Sequence, residues 1–97
     1  MRVEFDDEAD EEFHRAVEYL LQRSPIAADG LVVEFTAARD LLVQFPHSGS
    51  PRAGGFRQLV INRFAYKIVY RVEGDIIRVY AFAHQKRKPG YWRSRVK

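Results

Sequence analysis

The sequence predicts an α+β domain of order β-α-α-β-β-β, a helical hairpin packed on a small antiparallel sheet. Three observations lead there. Apolar residues recur at helical spacing through residues 13–45, the period switches to two from Arg57 onward, and the turn-rich run PHSGSPRAGG (46–55) separates the two regimes. Ninety-seven residues are enough for one core and too few for two, so residues 1–97 are read as one domain. A composition 46% hydrophobic and 13% aromatic can fill that core, which argues against disorder.

The elements follow in order. Met1–Phe5 reads as a short strand with Val3 and Phe5 on one face. Asp6 or Asp7 can cap a first helix, whose opening acids Glu8, Asp10, Glu11 and Glu12 suit a positive helix N-terminus. Phe13, Val17, Leu20 and Leu21 form its apolar stripe. Ser24-Pro25 ends that helix and starts a second, because Ser caps well and Pro is tolerated at the first helical position. Leu31, Phe35, Ala38, Leu42 and Phe45 then recur on one face, and the short connection predicts an antiparallel hairpin. Residues 46–55 read as a loop. Arg57, Leu59 and Ile61 alternate with their neighbours, as do Tyr66, Ile68, Tyr70 and Val72, and then Ile77, Val79, Ala81 and Ala83. Glu73-Gly74-Asp75 supplies the turn between the last two runs, giving three consecutive antiparallel strands. The first strand can join them at the sheet.

Charge divides the chain. Residues 1–45 carry eleven acids and four Lys/Arg, whereas residues 46–97 carry two acids and twelve Lys/Arg. Such a split points to polyanion binding, and His84–Lys97 alone hold six Lys/Arg and no acid. The absence of cysteine excludes disulfides and thiolate metal sites and fits a reducing cytoplasm. No apolar run approaches the roughly 20 residues of a membrane-spanning helix, and the charged N-terminus lacks a signal-peptide core, so no membrane partner is expected.

Phosphate-binding Gly-rich signatures, GxSxG and HExxH are absent. His14, His47 and His84 are scattered, so neither a metal nor another cofactor is expected. The carboxylates lie almost wholly in the front half, which leaves no acid pair near the basic surface for glycosidase-like work. The remaining candidates are basic and aromatic. Arg57, Lys67, Lys86, Arg87 and Arg95 can meet phosphates, and Tyr91 and Trp92 offer flat faces for unstacked bases. His84 is the one group there whose ordinary pKa lies near neutrality, which suits proton transfer. RNA carries its own nucleophile in the 2′-OH, so an RNA-cutting site needs charge stabilisation, proton movement and in-line positioning rather than a metal. Lys67, His84, Arg87 and Tyr91 are the candidate catalytic set. Arg57, Lys86, Trp92 and Arg95 are the candidate substrate-binding residues.

The string Tyr66-Lys67-Ile68-Val69-Tyr70-Arg71-Val72, a hairpin turn, Ile76–His84, then Arg87, Pro89, Tyr91-Trp92 and Arg95 resembles the RelE/ParE superfamily of bacterial type II toxins. The similarity runs over essentially the whole chain. It implies a microbial-RNase-like α+β fold and a toxin neutralised by a co-encoded antitoxin protein. RelE-like members cut mRNA in the ribosomal A site without metal, and ParE-like members share the fold and block DNA gyrase instead. By position, Arg87 resembles the phosphate-stabilising arginine and Tyr91 the substrate-stacking tyrosine. Lys67 stands where the middle-strand arginine would be, keeping charge without the bidentate fork. Gln58 and Val60 occupy the places of the first-strand lysines, a departure from the cleaving pattern that His84 would have to offset. The resemblance thus carries two expectations: ribosome-dependent mRNA cleavage, placed first, and gyrase inhibition without catalysis as the alternative.

Overall fold

Val3 and Phe5 turn to the core from a four-residue strand, β1 (Arg2–Phe5), in the computed structural model, which describes residues 1–96. The Asp6 carboxylate accepts the Glu8 backbone N–H at 3.1 Å and so caps α1 (Asp7–Arg23). Ser24 alone separates α1 from α2 (Pro25–Gln44), and its hydroxyl accepts the Ala27 N–H at 3.2 Å. The connection therefore matches the expected cap, with Pro25 in the first helical turn. Both helices lie against a sheet of β2 (Ser50–Pro51), β3 (Phe56–Val60), β4 (Tyr66–Glu73) and β5 (Ile76–His84) together with β1.

The sheet has five strands in the order β1-β5-β4-β3-β2. Strands β2 to β5 pair antiparallel, but β1 runs parallel to β5, with Val3 opposite Ile77 and Phe5 opposite Val79. The sheet is thus mixed, not the wholly antiparallel one expected. Hairpin turns force β3, β4 and β5 to alternate in direction, whereas β1 reaches the sheet across the helical layer and no turn dictates its sense.

The segment read as loop also contains structure. Ser50–Pro51 forms the edge strand β2, where a proline lacking its N–H is tolerated, and Ala53–Gly55 makes a tight turn in which Gly54 and Gly55 both hold a positive φ. Tyr70 ties this segment down. Its hydroxyl donates to the Pro46 carbonyl at 2.7 Å and accepts the Gly49 N–H at 2.9 Å. A Cβ on Gly49 would come within 2.8 Å of the Tyr70 ring and 2.9 Å of the Gln58 carbonyl, so this approach requires glycine.

Apolar side chains fill both sides of the sheet. On the helix side, Leu31, Phe35 and Leu42 of α2 meet Ile68, Tyr70, Ile77 and Phe82. On the outer side, Phe56, Val69, Tyr80 and Ala81 are closed over by Trp92, which the chain after β5 folds back into place. A bulge between Val69 and Tyr70 accommodates the change of register. Two residues assigned to helical stripes are not core: Leu21 and Phe45 lie exposed at the helix ends, where spacing alone cannot tell a buried stripe from its margin.

Candidate functional site

Glu12 lies on the buried side of α1, between Ala9 and Ala16, and organises the site. Its carboxylate is 13% exposed and accepts four hydrogen bonds. The Phe82 N–H donates at 3.2 Å, the Tyr91 hydroxyl at 2.5 Å, and the Arg95 guanidinium at 2.7 and 3.2 Å. Arg95 also meets Glu8 at 2.7 Å and donates to the Tyr80 carbonyl at 2.9 Å. Burial, and then the hydrogen bond to Glu12, push the Tyr91 hydroxyl far above its ordinary pKa. Tyr91 and Arg95 therefore latch the chain after β5 onto α1.

Beside this latch opens a cleft of about 530 Å³ between α1 and the end of β5. Tyr19, Tyr66 and Phe82 form its aromatic lining, with the Tyr66 and Phe82 rings stacked 5.0 Å apart. Its charged lining is Glu8, Glu11 and Glu12 against Arg15, Arg87 and Arg95, three carboxylates to three guanidinium groups. Arg15 pairs with Glu11 at 3.2 Å, and Arg95 with Glu8 and Glu12 as above. Arg87 lies 4.0 Å over the Tyr91 ring. His84 at the rim accepts the Lys86 N–H through Nδ1 at 3.1 Å and sets its ring edgewise to Tyr66.

The fold brings His84, Arg87, Tyr91 and Arg95 together and leaves the other four predicted residues apart. Lys67 sits in β4 between Tyr66 and Ile68, which face the helices, so it lies on the opposite side of the sheet from His84. Arg57 donates to the His47 and Gly49 carbonyls at 3.2 and 2.9 Å, bracing the loop before β2. Trp92 is 2% exposed and serves the outer core, so its ring has no free face for a base. Lys86 is exposed in the turn after β5. Arg71 and Arg78 both pair with Glu73. Burial opposes ionisation of Glu73, yet hydrogen bonds from Tyr80, Arg71 and Arg78 outweigh it and hold the carboxyl below its ordinary pKa.

The expectation that no acid pair approaches the basic tail is overturned, because α1 delivers three glutamates to it. Sequence reasoning missed Glu12. A signal was available, since Glu12 falls in register with Ala9, Phe13 and Ala16 on the buried stripe, where an acid needs a partner. Among the described residues no group of three or more His, Cys, Asp and Glu side chains converges as a metal site.

Residues 3–89 match the sequence profile of the family described as the ParE toxin of type II toxin–antitoxin system, parDE. Among solved structures, a chain of the chromosomal ParDE toxin–antitoxin system from P. aeruginosa superposes with a TM-score of 0.73 at 19% identity. The match covers 87% of this chain and 95% of that one, and at such identity it speaks for the fold. No curated protein matches the sequence.

Proposed function

Because the chain belongs to the ParE toxin family of type II toxin–antitoxin systems, we propose that it arrests growth by holding DNA gyrase, and that an antitoxin keeps it silent. The observation that carries this reading is the balanced charge of the cleft. Cutting RNA requires cations left free to meet a phosphate as its charge grows. Here the guanidinium of Arg95 is committed to Glu12 and Glu8, and Arg15 to Glu11. A phosphate entering the cleft would face Glu8 and Glu11, both largely exposed. Arg87 and His84 remain, but the Tyr91 hydroxyl is occupied and Lys67 belongs to the other face of the sheet. The cleft suits a protein segment better than a nucleic acid: its lining is aromatic, and its charges are arranged in opposed pairs.

Purified chain added to DNA gyrase and relaxed plasmid is expected to stop supercoiling and to trap DNA cut by gyrase. Undisturbed supercoiling at a molar excess of the chain would sink the proposal.

The antitoxin's proposed seat is on α2. Ile26 and Val33 point away from the core-facing Leu31 and Phe35 and are 85% and 64% exposed. A groove of about 170 Å³ between Leu41 of α2 and Val60 of β3 continues this apolar surface. An antitoxin segment that folds on binding would cover it. Val33→Asp should weaken antitoxin capture at least tenfold while leaving toxicity intact; unchanged capture would place the antitoxin elsewhere.

A further inference from the structure

Part of the positive charge of the basic half lies on the outer face of the sheet, away from the cleft. The two helices carry nine acids against three bases. The outer face carries Lys67, Arg71, Arg78 and Arg93 against Glu4, Asp6 and Glu73, and Glu4 and Glu73 are already paired with Arg71 or Arg78. Arg93 has no carboxylate partner among the described residues. Its guanidinium lies 4.6 Å from the Trp92 ring and 5.4 Å from the Phe56 ring, and Arg71 lies 4.5 Å from Phe56 on the same surface. Two guanidinium groups thus share one aromatic platform. Arg93 is also lodged between two turns, 4.0 Å from where a Cβ on Gly54 would stand and 3.5 Å from the corresponding point at Gly90. Both glycines hold a positive φ, near 80°, which keeps these turns close to the guanidinium.

We propose that this outer face binds the phosphate backbone of duplex DNA without regard to sequence. Charge selects a polyanion, and the aromatic packing selects the duplex. Single-stranded nucleic acid is held by stacking bases on open rings. Phe56 and Trp92 are 3% and 2% exposed, so they support guanidinium groups and offer bases nothing. Spaced cations on a firm surface meet duplex phosphates, which fix position and carry no sequence information. The acidic helices turn the opposite side of the molecule away from the polyanion.

The test is fluorescence anisotropy of labelled duplex DNA titrated with the purified chain at several salt concentrations, with no gyrase present. It therefore stands or falls separately from the gyrase reading. Duplex affinity is expected to fall roughly 100-fold between about 50 and 200 mM salt, as for about four phosphate contacts. Lys67→Gln combined with Arg93→Gln should lower the steepness of the log–log salt dependence by about two. Arg23→Gln combined with Arg39→Gln removes the same charge from the helices and should leave that steepness unchanged. Should the first pair disturb the fold by circular dichroism, Lys67→Gln alone tests the same surface without touching Arg93 and should lower the steepness by about one. Absence of binding at the lowest salt, equal loss from the helix pair, or tighter binding of single-stranded RNA would each overturn the proposal.

Discussion

On the helix side of the sheet, Arg95 and Arg15 are each answered by a glutamate from α1, whereas on the outer side Arg93 rests on Trp92 and Phe56 with no acid beside it. Arg95 and Arg93 belong to the same basic tail, and a single residue, Ser94, separates them. Two thirds of a turn of 3₁₀ helix sends these arginines to different fates, one largely covered and paired, the other exposed and available. A count of positive charge along a sequence therefore says little about where that charge is free to act. The cleft, which looks like the natural home of a basic tail, is where Arg95 of that tail is neutralised.

Substitutions can break this contrast, beginning with the largest effect. Trp92→Ala should cost about 3–5 kcal/mol, because the ring closes the outer core against Phe56, Val69 and Ala81; denaturant unfolding reads it, and a loss below 1 kcal/mol would mean the outer layer packs without the ring. Glu12→Ala should cost about 3 kcal/mol, since it removes the less exposed of the two carboxylates paired with Arg95, whose side chain is 10% exposed, and leaves the Phe82 N–H unanswered. Hydrogen exchange should then show the chain after β5 opening before the sheet does. Tyr91→Phe should cost roughly 1.5–3 kcal/mol through the lost bond to Glu12.

Tyr91 also gives the latch a pH signature. Its pKa is raised in the folded state above the ordinary value of 10.0, so its contribution is complete below that pH and is lost as pH rises beyond it. The native chain should lose stability in alkali more steeply than the Tyr91→Phe variant, and parallel curves would contradict the latch. Arg87→Ala should change stability least, within about 0.5 kcal/mol, because its guanidinium is exposed and makes one stacking contact.

Much of the fold could be read from local signals. Asp6 and Ser24-Pro25 mark the helix boundaries where the structure has them, and the period-two runs lead to β3, β4 and β5. What escaped was non-local. The parallel pairing of β1 with β5 depends on contacts more than 70 residues apart. So do the bonds from Glu12 to Tyr91 and Arg95, which span 79 and 83 positions. Spacing placed His84, Arg87, Tyr91 and Arg95 in one neighbourhood, since they follow one strand end. It could not assign Lys67 to the other face, because that depends on which side of β4 the helices cover. Trp92 misled for a related reason: an aromatic beside arginines reads as a stacking platform until a sheet face is found beneath it.

The most direct test of the account is to induce the chain without its antitoxin and map a well-translated mRNA by primer extension minutes later. The account predicts intact mRNA alongside DNA damage signalling. Cuts within translated codons that vanish with Arg87→Ala would contradict it and restore the cleft as a nuclease site.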